Sequence, residues 1–299
     1  MKINYSNKAV QWAVLLFLAL IWGSSFILMK RGLESFTYEQ VGAFRIFISF
    51  LLFLPIIYHK RKFLQKKYLK SLAIVAIAGT AIPAFLFTKA QTEITSSLAG
   101  MINALTPFFT LIIGLLVYHA KSAWYNKLGV ATGLIGALGL VYVPDNSVFS
   151  GNNWYAIFAI VATMCYGWSV NENKFKIPDL NGVTVASLGF IFIGPPAGIF
   201  LLFSDFSQAA ASENLWFNFG CIFTLSTFGS FLALMIFNTL IKHTSALFAS
   251  SVTYIIPIFA ILWGILDGEK ITVIQTISIS IILLGVYMVN KKEKNVEKL

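Results

Sequence analysis

The stretch TSALFASSVTYIIPIFAILWGILDGEK, residues 244–270, carries a proline, Pro257, in the middle of an apolar run. The stretch TSSLAGMINALTPFFTLIIGLLVYHAK, residues 95–121, does the same with Pro107, 150 positions earlier. A proline inside a helix removes one amide donor and pushes against the carbonyl four residues back. Two such interruptions in matching segments predict that the chain consists of two related halves.

The composition excludes an ordinary soluble domain. The 299-residue chain is 58% hydrophobic and 11% charged, whereas soluble domains average about 45–50% apolar and about 25% charged residues. Apolar windows of about 20 residues, long enough to cross a hydrocarbon layer of about 30 Å as a helix, recur along the whole chain. We therefore predict an all-α integral membrane protein with ten transmembrane helices. The ten windows are residues 10–29, 38–58, 71–90, 95–118, 124–143, 154–174, 180–204, 215–240, 244–266 and 271–290.

Lysine and arginine are unevenly distributed between the predicted loops. When the amino terminus is placed in the cytoplasm, the inner loops and tails hold most of the 22 basic residues. The outer loops hold Lys30, Arg31, Lys89 and Lys270, and Arg45 lies inside the second window. By the positive-inside rule, this asymmetry predicts a multi-pass protein of the cell (inner) membrane with both termini in the cytoplasm. The net charge of +10 is therefore a topology signal, and nucleic acid is not expected as a partner.

The repeat extends beyond the prolines. When Pro107 is superposed on Pro257, residues 98–118 align with residues 248–268 as one apolar segment. Upstream, IWGSSFILMK at 21–30 aligns with CYGWSVNENK at 165–174. The chain is therefore predicted to be five spans followed by five spans, with halves at residues 1–146 and 147–299. The matched positions in the upstream pair are Gly23 with Gly167, Ser25 with Ser169, and Lys30 with Lys174.

The odd number of spans in each half decides how the halves are oriented. After five crossings the chain enters the second half from the opposite side of the membrane, so the two halves have inverted topology. Many secondary transporters use this arrangement to build two gates around one central site. We therefore expect a central cavity between the halves.

Several motifs occur in a definite order along the chain. They are WGSSF and GWSVN at the matched segments, Phe44 with Arg45, the two mid-span prolines, and DGEK at 267–270. Together they resemble EamA-type transporters of the drug/metabolite transporter superfamily, over nearly the whole chain. The resemblance implies a ten-helix inverted-repeat bundle with a cavity lined largely by spans 1, 3, 4, 6, 8 and 9, which moves small metabolites, often amino acids or related compounds, commonly outward. One position departs from the family pattern, because His119 stands where the second half has the acid Glu269.

Asn103 and Thr253 are equivalent candidates for the substrate site. Their carbonyls lie four residues before Pro107 and Pro257, so the prolines free them from the helical ladder. In lipid an unpaired carbonyl costs several kcal/mol, so these groups should face protein or a wet cavity. We favour a role for both residues in lining the site or its hinges, with the two prolines as hinge residues. The alternative is that the prolines only bend their helices for packing.

The matched ends of spans 1 and 6 supply further candidates. They combine aromatic surface with hydroxyl and amide groups, which is the mixture found in small-molecule pockets. Tryptophan and tyrosine also gather at membrane interfaces without binding a ligand, so interface anchoring stays open as the alternative. Tyr254 is added because it follows Thr253. The further candidates are Trp22, Ser24, Ser25, Tyr166, Trp168, Ser169, Asn171 and Tyr254.

Ionisable residues inside spans are costly and usually functional. Arg45 lies about seven residues into span 2, near enough to the outer side to reach the surface. For Arg45 we favour a structural role, in which it bonds carbonyls, over contact with substrate. Glu172 is expected to lie in cytoplasmic water, with pairing to Lys174 or to a cationic substrate as the alternatives. No Asp or Glu falls at the centre of a predicted span, so we predict facilitated diffusion or coupling through an unidentified site rather than carboxylate-based proton antiport.

Within transport, a neutral or zwitterionic, partly apolar metabolite fits the aromatic and hydroxyl candidates best, and export is the favoured direction. A drug or other solute exporter with proton coupling is the alternative. Phosphorylated substrates fit less well, because they favour several basic residues at membrane depth and only Arg45 qualifies.

Other classes of protein fit the sequence less well. The chain has no H-E-x-x-H zinc site and no G-x-S-x-G nucleophile motif, so we expect neither an enzyme nor a metal site nor a cofactor. A receptor or scaffold would normally bring a partner domain or long loops. Gly129 and Gly133 form a G-x-x-x-G, for which packing inside the bundle is favoured over a dimer face. The expected partners are a small-molecule substrate and the lipid bilayer, and we expect a monomer, with a dimer as the alternative.

Overall fold

The computed structural model describes residues 7–141, 154–268 and 273–289, and these form helices and turns without a β-strand. The predicted all-α class is therefore confirmed. A 3-10 turn follows the second long helix at Arg61–Phe63, and a short helix, Ser207–Ala210, follows the seventh. The long helices of the described residues, numbered in chain order, are α1 (Lys8–Leu33), α2 (Tyr38–Lys60), α3 (Lys66–Ala90), α4 (Ser96–Leu116), α5 (Trp124–Val141), α6 (Ala156–Phe175), α7 (Gly182–Leu202), α8 (Leu215–His243), α9 (Ala246–Leu266) and α10 (Val273–Val289).

Among the described residues, seven helices are long and apolar enough to cross a membrane by length and composition, namely α1 to α4 and α7 to α9. The described part of α10 has 17 residues. The helices α5 and α6 carry polar ends, WYNK at the start of α5 and NENKF at the end of α6. A multi-pass membrane protein fits these helices, and the count of ten transmembrane helices stays a prediction.

Local capping residues explain where several helices begin. Thr37 caps α2 through a capping box with Gln40, in which each side chain bonds the other residue's backbone amide. Thr95 and Ser245, 150 positions apart, cap α4 and α9 by accepting the amide three residues on. Equivalent helices of the two predicted halves therefore begin at equivalent residues.

Helix interruptions occur in the same order in both halves. The helix α3 contains a π-helical segment at Ile77–Ala81, and α8 contains one at Leu225–Leu232. The helix α4 changes to a 3-10 turn at Asn103–Leu105, and α9 breaks at Ser251 between two α-helical parts. Such interruptions often mark functional sites or hinges. The four helices correspond in pairs, α3 with α8 and α4 with α9, when each helix is matched to the one five places later.

The packing of the helices follows the same correspondence. The helix α5 packs along α10 and α2 packs along α7, so these helices contact their own counterparts. The helix α1 packs on α9 as α6 packs on α4, and α3 packs on α6 as α8 packs on α1. When each helix is exchanged for its counterpart five places away in the chain, the same pairs of helices are in contact. The two sets of five helices are thus packed with approximate twofold symmetry.

Some predictions concern residues that the structure does not describe. The predicted boundary at residues 146 and 147 lies outside the described residues, as do residues 1–6, Glu269, Lys270 and residues 290–299. The cytoplasmic placement of both termini and the contrast between Glu269 and His119 therefore stay predictions. The inverted orientation of the halves also stays a prediction.

Two glycines at equivalent positions let helices approach closely. Gly23 of α1 faces α9, where an added Cβ atom would lie against Cβ of Phe259, closer than van der Waals contact permits. Gly167 of α6 faces α4, where an added Cβ atom would lie 2.8 Å from the amide nitrogen of Thr110 and 3.0 Å from Cβ of Phe109. Small residues at such crossings let helix backbones pack closely in membranes. The alignment of Gly23 with Gly167 thus corresponds to one contact made in both halves.

The glycines of α5 are covered by α10. An added Cβ atom at Gly285 would lie 2.6 Å from the amide nitrogen of Gly133 and 2.7 Å from the carbonyl oxygen of Gly129. An added Cβ atom at Gly136 would lie 2.8 Å from the carbonyl oxygen of Ser278. Gly129 and Gly133 therefore pack within this chain, which is the arrangement favoured from the sequence.

Candidate functional site

A cavity of about 90 Å³ is enclosed mainly by α1, α3, α4, α6, α8 and α9. These are the six helices that the family resemblance implies. A cavity needs about 10–15 Å³ to hold one water molecule, so this one has room for several waters or a small solute. The predicted site residues that line it are Trp22, Ser25, Asn103, Tyr166, Ser169 and Thr253.

The cavity wall is built from corresponding residues of the two halves. An added Cβ atom at Gly229 would lie 2.9 Å from Oγ of Ser25, and one at Gly79 would lie against Oγ of Ser169. Each serine therefore packs on the glycine of a π-helical segment in the neighbouring helix. The corresponding pairs in the wall are Trp22 and Tyr166, Ser25 and Ser169, Gly229 and Gly79, and Thr253 and Asn103.

Trp22 and Tyr166 are held by contacts with other walls of the cavity. The indole Nε1 of Trp22 donates a hydrogen bond of 2.8 Å to the carbonyl oxygen of Gly229 in the π-helical segment of α8. The Trp22 ring meets Phe237 edge-to-face with centroids 4.9 Å apart, and the Tyr166 ring stacks on Phe87 at 5.9 Å. These contacts favour cavity lining over interface anchoring for both residues.

The two prolines occupy different positions in their helices. Pro107 lies at the start of the α-helical part of α4 that follows the 3-10 turn, whereas Pro257 lies inside an α-helical part of α9. The carbonyl oxygen of Asn103 accepts a hydrogen bond of 2.8 Å from Oγ1 of Thr106. The expectation of a free carbonyl is therefore corrected for Asn103, because Thr106 satisfies that carbonyl within α4. Oγ1 of Thr253 donates to the carbonyl three residues back at 2.8 Å.

Ser24 and Trp168 lie outside the cavity. Oγ of Ser24 accepts a hydrogen bond of 2.7 Å from Nε1 of Trp263, across the contact of α1 with α9. Successive residues of a helix point about 100° apart, so Ser24 and Ser25 cannot both face the cavity. Trp168 is 46% exposed on the surface of the bundle, where an interfacial aromatic residue is expected.

Asn171 and Tyr254 are buried in helix contacts rather than in the cavity wall. Nδ2 of Asn171 donates to the carbonyl oxygen of Thr110 at 2.9 Å, which ties α6 to α4. Tyr254 is 1% exposed, and its ring packs against Gly133 of α5. Position next to Thr253 therefore does not bring Tyr254 to the cavity.

Arg45 lies in the cavity wall, whereas the sequence predicts a place near the outer surface of the membrane. It is 8% exposed and lines the cavity, so it does not reach the surface. Its Nε donates to Oγ of Ser230 at 2.8 Å, and its Nη1 lies 3.9 Å from Sδ of Met29. Hydrogen bonds from the guanidinium to carbonyl groups are not among its contacts in the described residues. Arg45 therefore lies in the cavity wall and ties α2 to α8, and its favoured structural role stays a prediction.

Sequence reasoning does not single out Thr80, Thr106, Asn238 or Ser250, which also line the cavity. A usable signal exists for Thr80, because it corresponds to Ser230, the hydrogen-bond partner of Arg45, at the offset of 150 positions that the prolines define. Thr106 directly precedes Pro107, where a hydroxyl can satisfy the carbonyl that the proline frees.

Charged residues close the end of the bundle that is predicted to face outside. Lys30 and Arg31, at the end of α1, both bond the carboxylate of Asp267, which follows α9. Arg31 also contacts Glu34 at 2.6 Å. The side chain of Asp267 is 11% exposed, whereas those of its two cationic partners are 37% and 36% exposed. We name Lys30, Arg31 and Asp267 the outer latch.

Glu172 closes the opposite end of the bundle. It is 6% exposed and accepts hydrogen bonds from Oγ of Ser71 at 2.5 Å and from the hydroxyl of Tyr118, so its expected place in cytoplasmic water is corrected. Lys174 does not pair with it and instead donates to carbonyls at the C-terminal end of α8, among them that of Ile241 at 3.0 Å. Burial, and then the bond to Glu172, raises the pKa of Tyr118, so the phenol stays protonated as the donor. We name Ser71, Tyr118 and Glu172 the inner latch.

The sequence model of the EamA-like transporter family matches residues 10–142 and 153–291. The chain belongs to this EamA-like transporter family. Membership places it in the drug/metabolite transporter superfamily, as the motifs indicate. The two matched segments follow one another along the chain and contain the two sets of five helices that pack with approximate twofold symmetry.

Curated proteins similar to this EamA-like chain are named as transporters. The uncharacterized inner membrane transporter YedA of Escherichia coli (strain K12) is 25% identical over 279 residues, which cover 91% of this chain and 88% of YedA. An uncharacterized transporter of Archaeoglobus fulgidus is 24% identical over 283 residues, which cover 94% of this chain and 99% of the relative. An S-adenosylmethionine/S-adenosylhomocysteine transporter of Chlamydia trachomatis (serovar L2) is 21% identical over 285 residues, 92% of this chain and 87% of that protein.

A solved crystal structure of a protein has the same fold. It is 12% identical to this chain, with a TM-score of 0.72, and the match covers 95% of this chain and 97% of the other. At this identity the likeness shows the fold alone. The family and its named relatives indicate a membrane transporter rather than an enzyme.

Proposed function

We propose that this EamA-like protein is a secondary transporter that moves a small metabolite across the cell membrane by alternating access, with export as the favoured direction. The proposed cargo is an amino acid or a related neutral or zwitterionic compound. The observation that carries the proposal is one cavity, lined by corresponding residues of two halves, between an outer and an inner latch. Sites between two structural repeats are the substrate sites of many secondary transporters.

The proposal includes the membrane topology. Ten transmembrane helices form two inverted halves, residues 1–146 and 147–299, and both termini lie in the cytoplasm. The twofold pattern of helix packing supports the two halves, and the distribution of lysine and arginine supports the orientation.

The two latches supply the elements that alternating access requires. The outer latch joins the ends of α1 and α9, and the inner latch joins α6 to α3 and the residues after α4. Opening one latch while the other stays closed exposes the cavity to one side of the membrane. A substrate shifts this equilibrium only by binding the two states with different affinity.

The cavity lining supports the proposed cargo class. Aromatic walls and neutral hydroxyl and amide groups are typical of pockets for small, partly apolar molecules. A relative named as a transporter of S-adenosylmethionine and S-adenosylhomocysteine supports a small organic metabolite. The residues that carry this lining are Trp22, Ser25, Asn103, Tyr166, Ser169 and Thr253.

The alternatives have less support. A drug or solute exporter with proton coupling normally needs a titratable group at membrane depth, and no Asp, Glu or His is among the described residues that line the cavity. Glu172 lies in the inner latch, outside that lining. A scaffold or receptor without transport gives no role to the cavity or to its corresponding walls.

Transport by the purified protein in liposomes tests the proposal directly. Proteoliposomes and protein-free liposomes are loaded with a mixed panel of amino acids and related metabolites, and the released and retained solutes are measured by mass spectrometry. We expect one chemical class to cross only the protein-containing membranes, in the direction of its gradient. Equal release of every solute from both kinds of liposome would contradict transport of this cargo class.

Substitutions in the cavity wall test the site. We expect Asn103→Ala and Thr253→Val each to lower the transport rate at low solute concentration about 3- to 10-fold, because each removes one hydrogen-bonding side chain worth about 0.5–1.5 kcal/mol. Ser24→Ala is the control, since Ser24 lies outside the cavity and bonds Trp263. The rate is measured in proteoliposomes at equal protein content. If the two cavity variants and Ser24→Ala all transport like the wild type, the cavity is not the substrate site.

A further inference from the structure

Arg45 is the one permanently charged side chain among the described residues that line the cavity. It is 8% exposed, and the other polar residues of the lining are neutral. The cavity therefore contains a fixed positive charge at a position where solvation by bulk water is limited.

The contacts of Arg45 leave donors unused. A guanidinium carries five N–H donors in a planar fork. Nε donates to Oγ of Ser230 at 2.8 Å, Nη1 lies 3.9 Å from the thioether sulfur of Met29, and the guanidinium also interacts with the hydroxyl of Tyr166, so at most three of the five donors have a partner among the described residues. No carboxylate of the described residues forms an ion pair with Arg45, since the ion pairs there involve Lys30 and Arg31. The charge is thus buried without a counter-ion from the part of the chain that the structure describes.

Burying an unpaired charge destabilises the folded state, so packing alone does not explain the presence of Arg45 in the cavity wall. A buried ion without a counter-ion loses its hydration, and two neutral hydroxyls and a thioether replace only part of it. Ionisable residues at membrane depth usually pair with another group or contact what is transported. The missing partner is therefore best supplied by a ligand in the cavity.

Comparison of the two halves supports the same conclusion. The position that corresponds to Arg45 at the offset of 144 is Gly189 of α7. An added Cβ atom there would lie 3.1 Å from Cβ of Ala76, and Gly189 does not line the cavity. Several neutral wall residues occur in corresponding pairs, whereas the positive charge occurs in one half alone. A single charge on one side of the cavity orients a solute that has one charged end.

We propose that Arg45 binds the carboxylate of the transported solute, so that the cargo class is organic monocarboxylates. The inference rests on the proposed transport function and defines its substrate by the carboxylate, the group that zwitterionic amino acids share with simple organic acids. The planar guanidinium fork matches a carboxylate through two parallel hydrogen bonds. A phosphate or a dicarboxylate would bring a second negative charge into a cavity of about 90 Å³ that offers one cation. An amino group is not required, because no acidic residue of the described lining pairs with it.

Matched acids and amides test the inference in the unmodified protein. The probes are L-phenylalanine, L-leucine and 3-phenylpropionate, each paired with its carboxamide, which has nearly the same shape without the carboxylate charge. Two measurements are made on the full chain: transport in proteoliposomes, and the shift of the unfolding temperature of the detergent-solubilised protein at 10 mM probe, about the concentration needed to detect weak ligands by mass action. We expect at least one acid to be transported about tenfold faster than its amide. The same acid should raise the unfolding temperature, whereas its amide should not.

Variants assign the preference to Arg45. In Arg45→Gln the ratio of acid to amide transport should fall below about twofold, whereas Arg45→Lys, which keeps the charge but not the planar fork, should retain part of it. Lys89→Gln is the matched control, because it also removes one positive charge but from a side chain that lies over the Phe158 ring at 4.4 Å, outside the cavity. We expect Lys89→Gln to keep the full ratio.

The outcomes separate this inference from the proposed function. Acids and amides that move at equal rates in the wild type overturn the role of Arg45 and leave transport intact, and so does an unchanged ratio in Arg45→Gln. Acids that raise the unfolding temperature without crossing the membrane overturn transport and support the site. Acids that neither move nor stabilise the protein overturn both. If Arg45→Gln fails to fold, the comparison of acids with amides in the wild type still decides.

Discussion

Gly167→Ala lowers the stability of the bundle by about 1–3 kcal/mol, and Gly23→Ala has a comparable effect. The Cβ atom added at Gly167 would lie 2.8 Å from the amide nitrogen of Thr110 and 2.9 Å from the carbonyl carbon of Phe109. Both are backbone atoms of α4, which cannot turn aside as a side chain can, so α6 and α4 must separate. The effect is measured as a lower unfolding temperature of the purified protein, followed by tryptophan fluorescence.

Gly220→Ala is the matched control for this prediction. Gly220 lies in α8, and no heavy atom lies within 4 Å of an added Cβ atom there. Alanine favours a helix over glycine by about 1 kcal/mol, so Gly220→Ala should leave the unfolding temperature unchanged or raise it. Equal unfolding temperatures for Gly167→Ala and Gly220→Ala would mean that the helices are not in close contact at Gly167.

Asp267→Asn opens the predicted outer end of the bundle. The carboxylate of Asp267 bonds both Lys30 and Arg31, and its side chain is 11% exposed. Partly exposed pairs of this kind are worth about 1–2 kcal/mol together, so their loss should raise the population of the outward-open state about 5- to 30-fold. Because the outer latch joins α1 to the end of α9, separation should begin at α1.

A native cysteine reports this opening. Cys221 is 8% exposed. It lies in the part of α8 that packs on α1 and interacts electrostatically with Arg31 of the outer latch. The only other cysteine of the sequence, Cys165, is partly exposed on α6 and is removed as Cys165→Ser. In this background we expect a membrane-impermeant maleimide, added from outside, to label Cys221 about 5- to 30-fold faster when Asp267→Asn is present.

Glu34→Gln is the control for the outer latch. Glu34 contacts Arg31 at 2.6 Å within the same turn of the chain, and its side chain is 41% exposed. Its loss should change the labelling rate of Cys221 less than about twofold, because exposed ion pairs contribute little. Identical labelling rates in Asp267→Asn and the parent protein would show that the outer latch does not hold this end closed.

The repeat could be recognised from the sequence because its signals are local. The prolines fix an offset of 150 positions, and the same offset relates the caps Thr95 and Ser245 and the cavity residues Asn103 and Thr253. Proline, glycine and capping residues act on the backbone within one turn of a helix, so their spacing survives in the sequence. The π-helical segments of α3 and α8 have no such signal. A π-helical segment accommodates one extra residue in a continuous apolar helix, and no particular residue type marks its position.

Individual site residues were harder to assign because the spans are apolar on most sides. A helix surrounded by apolar groups has no polar face that reveals its orientation. Ser24 and Ser25 are equally good candidates in the sequence, yet Ser25 lines the cavity and Ser24 bonds Trp263 of α9. The depth of Arg45 in its span predicts a place near the surface, although Arg45 lines the cavity and bonds Ser230 of α8.

The sequence by itself determined the all-α membrane class and the interruptions of α4 and α9 at matched positions, because these depend on span length and on the spacing of local signals. Only the tertiary structure decided which side chains meet. Asp267 and Lys30 are 237 positions apart, and Glu172 and Ser71 are 101 positions apart. Contacts at such separations arise from the crossing of helices that are apolar on most sides, and neither periodicity nor composition contains that information.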